Sequence, residues 1–220
     1  MSHVKSARRF ALGTLALAAV ATSQAATFGG VEFPQGISSF ADQVVSYDPV
    51  IKSGEPTVAN RNSADTVGAP NYTGLASQYA SLGDGGSITL RFVDNRLTGS
   101  GSNAKDLWVF EVGPDVEDTF VEISKDGATW HAVGKVFGST AGIDIDAFGW
   151  GIADQFAYVR LTDDTLEGAQ TGGSVGADID ALGAISSVAA PPAIPEPSTY
   201  ALLLAGLAGV TLVTRRRRAR

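Results

Sequence analysis

The chain contains no cysteine in 220 residues. No disulfide can brace it, and zinc or iron sites built on thiolates are excluded. Histidine is almost as scarce, with only His3 and His131 present. A multi-histidine metal site in the body of the chain is therefore excluded as well. Oxygen ligands remain, and oxygen ligands suit calcium. Positive charge is also short. Between residues 26 and 194 there are 8 Lys and Arg against 22 Asp and Glu, a net charge of −14, where the whole chain carries −7. Such a surface repels nucleic acid and anionic lipid, so no nucleic-acid partner is expected. Amphipathic helical periodicity is nearly missing too, which argues against a helical bundle or an α/β fold.

The basic residues that exist are gathered at the two ends. Lys5, Arg8 and Arg9 precede the apolar run Phe10–Ala21, and Ser23-Gln24-Ala25 supplies small residues after it. This is the pattern of a secretory signal peptide over residues 1–25, with signal peptidase expected to cut after Ala25. At the other end stand Pro195, Glu196 and Pro197. An apolar stretch from Tyr200 to Thr214 follows, with Leu202, Leu203, Leu204 and Leu207, and then Arg215, Arg216, Arg217, Arg218 and Arg220. Fifteen residues of helix reach roughly 22 Å at about 1.5 Å per residue. A bilayer core is about 30 Å thick, so the segment over about 200–214 is a short transmembrane helix. The positive-inside rule leaves the arginines in the cytoplasm and the body outside.

A Pro-Glu-Pro triplet, a short hydrophobic helix and a terminal arginine cluster, in that order, resemble the PEP-CTERM sorting signal. The resemblance implies an exported protein anchored transiently in the inner membrane. An exosortase would process it near Pro195, Glu196 and Pro197, and the protein would then pass to the cell surface or outside. The sorting segment is expected over 195–220, preceded by an Ala/Pro/Ser linker over 186–194.

The body, 26–185, reads as strands and turns. Ile88, Leu90 and Phe92 alternate with polar neighbours, and Ala157, Val159 and Leu161 do the same. Asp106–Val112 is apolar on both faces, as in a strand central to a sheet. Asp126-Gly127 sits between Thr119–Ser124 and Trp130–Val136, which predicts a hairpin. Asp178–Ile185 closes the domain. A short helix is expected near Ser39–Val45, and Lys52–Ser81 is a long polar loop. The fold class expected is all-β: a single antiparallel β-sandwich. The succession of Asp65–Asn71, Ser81–Phe92, Asp106–Glu111, Val121–Trp130, Phe156–Asp163 and Gly176–Leu182 resembles galactose-binding-like, or discoidin-like, modules. That resemblance implies a jelly roll, glycan binding and a structural calcium.

Candidate site residues follow from two patterns. The octet Gly142–Gly149 echoes Gly176–Gly183, and each contains an Asp-x-Asp. Two carboxylates about 7 Å apart on one face of an extended strand repel each other unless a cation intervenes. Asp144, Asp146, Asp178 and Asp180 are thus candidate calcium ligands. Glu111, an acid between Phe110 and Val112, needs a partner: Arg91, Arg160 or a metal. Trp150, between glycines, is a candidate platform for a sugar ring, with Tyr72 as a second. The motif Gly172-Gly173-Ser174-Val175-Gly176 lacks the strand and helix of a nucleophile elbow, and His131 precedes it. The expected function is a non-enzymatic surface or matrix protein associated with exopolysaccharide or biofilm. Its partners are signal peptidase, exosortase and the inner membrane. The alternatives are a calcium-dependent glycan-binding module and a carboxylate-based glycan hydrolase.

Overall fold

A computed structural model describes residues 24–113, 117–168, 171–191 and 202–207. The signal segment over 1–23, the processing residues Pro195, Glu196 and Pro197, and the anchor residues Tyr200 and Arg215–Arg218 lie outside them. Ala25 is exposed directly before the first strand.

Among the described residues, thirteen strands carry the fold. The first seven are β1 (Ala26–Phe28), β2 (Val31–Phe33), β3 (Gln43–Asp48), β4 (Ala80–Ser81), β5 (Ser87–Arg91), β6 (Asn95–Leu97) and β7 (Leu107–Glu111). The rest are β8 (Thr119–Ser124), β9 (His131–Val136), β10 (Thr140–Ile143), β11 (Tyr158–Asp163), β12 (Asp178–Ala184) and β13 (Ser187–Ala189). Two sheets dominate, with orders β10-β7-β12-β4 and β3-β5-β11-β8-β9, and every neighbouring pair is antiparallel.

Alternation turns one face of each sheet toward a shared core. Ile88, Leu90, Val121, Ile123, Val159 and Leu161 come from the five-stranded sheet, and Leu107, Val109, Ile143, Ile179 and Leu182 come from the other. The result is a two-layer antiparallel sandwich. The four-stranded sheet is also covered on its outer face. There Phe110 and Ala181 pack with Phe33 and Phe40, brought across by β2 and by the short 3₁₀ turn at Gly36–Ser39. Burial on both faces explains why β7 is apolar on both sides and why all of β12 is buried.

Three expectations are corrected. No helix forms at Ser39–Val45. Gly36–Ser39 makes a 3₁₀ turn, and β3 starts at Gln43, because Val44 and Tyr47 are used against the core. The folded strands run past residue 185: Ser187–Ala189, read as linker, pairs with Asn95–Leu97. Lys52–Ser81 is not open loop. It forms three 3₁₀ turns, one of which packs against β12.

Residues 202–207 are helical, and Leu202, Leu203, Leu204 and Leu207 are exposed there. Among the described residues no helix is long and apolar enough to cross a membrane.

Candidate functional site

A cleft of about 390 Å³ opens where the β1–β2 hairpin crosses the end of β7. Phe28, Pro70, Tyr72 and Phe110 form apolar walls, and the acids Glu111 and Asp180 also line it. Two local irregularities build it. A bulge between Ile179 and Ala181 makes Asp180 the extra residue of β12. Its carboxylate then accepts hydrogen bonds from the backbone N–H of Asn71 (3.2 Å) and Tyr72 (3.4 Å). Asp180 therefore holds the loop that presents Tyr72. The tyrosine ring is partly exposed and rests edge-on against Tyr79 at 5.7 Å.

Glu111 is 2% exposed. Its Oε1 accepts the Asp178 N–H at 3.4 Å, and the Glu117 carboxyl lies beside it. Burial, and then the charge of Glu117, push its pKa up to about 9. Asp178 is pushed up to about 8, again by burial, although it accepts a hydrogen bond from the Ser81 hydroxyl. Asp180 is raised by burial against its two backbone donors. Burial thus pushes both Glu111 and Asp178 toward the neutral form. Neither Arg91 nor Arg160, the two arginines expected as partners, is paired with Glu111. Arg160 pairs with Glu122 (2.6 Å), and the Arg91 guanidinium lies over the Tyr158 ring at 5.3 Å.

The two Asp-x-Asp pairs do not behave alike. In the second, the bulge turns Asp178 toward Ser81 and Asp180 toward the Asn71–Tyr72 loop, so the strand alternation assumed for them fails. In the first, β10 ends at Ile143 and a 3₁₀ turn begins at Asp146, so the segment is not extended either. That turn nevertheless brings Asp144 and Asp146 up to Asp106, with one carboxylate oxygen of each within 4.8 Å of the others. Asp106 is fully buried. Burial raises its pKa above the usual carboxylate range, opposed by the hydroxyls of Ser186 and Ser100 and by the Ile145 N–H. A further acidic group, Asp118, Asp164 and Glu167, surrounds Lys135, whose Nζ lies 2.7 Å from both aspartates. Lys135 offsets part of that group's charge.

Trp150 is half-buried. Its ring packs 4.5 Å from His131 and 5.3 Å, edge-on, from Phe156, with Lys125 above it. Trp130 lies under the Arg160 guanidinium at 4.4 Å, and Trp108 covers the aromatic cluster of the outer face. Phe28, Phe110 and Glu117 carry no local signal of a site.

Residues 193–218 match the PEP-CTERM protein-sorting motif. The motif supports an exported, exosortase-sorted protein that is anchored in the membrane transiently before it reaches the cell surface. No curated protein matches the chain by sequence. Among solved structures, the C-terminal domain of a chitobiase from Bacteroides fragilis is similar at a TM-score of 0.43 and 12% identity, over 70% of this chain and 99% of that one.

Proposed function

We propose that this chain is a non-enzymatic surface or matrix protein that binds glycan in the cleft beside Tyr72. The observation that carries the reading is the joining of an exposed aromatic ring to buried carboxyls in one cleft. An aromatic face suits the C–H face of a sugar ring, and placed acids suit its hydroxyls. Asp180 keeps lone pairs free beyond its two backbone bonds. The sorting motif supports display at the cell surface, and exopolysaccharide is the polymer this reading assigns to the cleft. Kinship with discoidin-like jelly rolls belongs to the same proposal. A glycan array on the processed protein, followed by calorimetry on the best hit, tests it. Tyr72→Ala should weaken binding about tenfold, or roughly 1.4 kcal/mol, with the melting temperature unchanged. Binding equal to wild type would move the site elsewhere.

One observation favours a second reading, a carboxylate-based glycan hydrolase: Glu111 and Asp180 line the same cleft, and burial raises the Glu111 pKa in the direction a general acid needs. Release of reducing ends from the bound glycan, lost in Glu111→Gln, would establish it. Binding without turnover supports the non-enzymatic role.

A further inference from the structure

We propose that Asp106, Asp144 and Asp146 bind one calcium ion at the junction of β7, β10 and the Ser100 loop. One oxygen from each lies within 4.8 Å of the others. Two ligands on a single calcium, each at about 2.4 Å, can be no farther apart than about 4.8 Å. Among the described residues none of the three is in an ion pair, in contrast to the Lys135 group. Three like charges at this spacing repel strongly without a counter-ion.

The independent observation is Asp106. It is 0% exposed, Oδ2 accepts the Ile145 N–H at 2.9 Å, and Oδ1 makes no bond in hydrogen-bond geometry although the Ser186 and Ser100 hydroxyls lie near the carboxyl. A buried carboxylate oxygen left without a donor is costly, and a metal ion removes that cost. The backbone has already been spent on the other oxygens. Ser100 and Gly101 donate to Asp146 Oδ2 at 2.8 and 3.1 Å, and Ala147 donates to Asp144 Oδ1 at 3.3 Å. Those bonds fix the carboxylates and leave Asp146 Oδ1 and Asp144 Oδ2 outside them. The donor set is all oxygen, which selects a hard cation, and an irregular loop-built set suits calcium better than the stricter octahedron of magnesium. The ion would tie the Ser100 loop to the strand ends in a domain that has no disulfide.

Trp150 lies beside this site, since its carbonyl and the Asp146 carboxylate crowd the same face of Gly99. Terbium, which replaces calcium at oxygen sites, can therefore be excited through tryptophan. The purified full-length chain should show terbium emission on tryptophan excitation, displaced by calcium. Calcium should also raise the melting temperature by several degrees over sodium chloride of equal ionic strength. Asp106→Asn keeps the shape and an acceptor for Ile145, and it should abolish both effects. Asp144→Asn, at a half-exposed position, should do the same and serves if Asp106→Asn fails to fold. Asp178→Asn should retain both. Emission and calcium shift unchanged in Asp106→Asn or Asp144→Asn, or a shift no larger than that from sodium chloride, would overturn the proposal.

Discussion

Glu111 and Asp178 hold protons in the folded chain that they release when it unfolds. Their values, about 9 and about 8, stand far above the ordinary carboxylate pKa of about 4. The sign follows from linkage. The contribution is full below the unfolded pKa and is lost as pH rises through the folded one. Asp126, Asp154 and Asp164 are lowered instead, by hydrogen bonds and by lysines, and their contributions are lost only on acidification. Between pH 5.5 and 9 the melting temperature should therefore fall steadily. Glu111→Gln, which keeps a neutral group of the same shape, should flatten that fall; a slope identical to wild type would show that Glu111 ionises freely. Trp150 poses a separate question at the same scale. With its ring on His131 and Phe156 at the edge of the core, Trp150→Ala should cost about 3 kcal/mol of stability. Urea denaturation measures it, and a cost below about 0.5 kcal/mol, the ordinary level for a surface substitution, would make the ring a free surface platform.

Strands were legible wherever the alternation was long. Ser87–Arg91, Leu107–Glu111 and Tyr158–Asp163 could be read from their period, and the β8–β9 hairpin from Asp126-Gly127, where Gly127 has φ +77°. The three-residue strands β1, β2, β6 and β13 could not. Too few residues carry a period, and their pairing is chosen by partners far along the chain, as with Ser187–Ala189 on Asn95–Leu97. The cleft was illegible for the same reason: Phe28, Tyr72, Glu111 and Asp180 belong to four separate segments. The Asp-x-Asp echo did point to acids that matter, but strand alternation was the wrong way to place them. A bulge separates one pair and a 3₁₀ turn folds the other onto Asp106. Gly183 tests the outer aromatic layer. A Cβ there would lie 2.6 Å from the Phe33 ring and 2.9 Å from Phe40. Gly183→Val should thus destabilise by about 1–3 kcal/mol through overpacking. Chemical denaturation measures this, and a neutral result would mean the Phe33–Phe40 layer is loosely held.

At the scale of the whole molecule, an acidic domain without disulfides is joined to a sorting segment of opposite charge. The body carries −14 and the arginine cluster follows the apolar run, so the two parts are suited to opposite sides of a membrane. Removal of the tail would leave a strongly acidic sandwich outside the cell. The sorting motif at 193–218 is the point on which this account turns. Intact-mass analysis of the protein taken from the surface fraction of its native host tests it most directly. The account predicts a dominant species that ends near Pro195–Pro197 and lacks Tyr200–Arg220, and its loss when the exosortase is deleted. A dominant surface species that retains Arg215–Arg218 would contradict it.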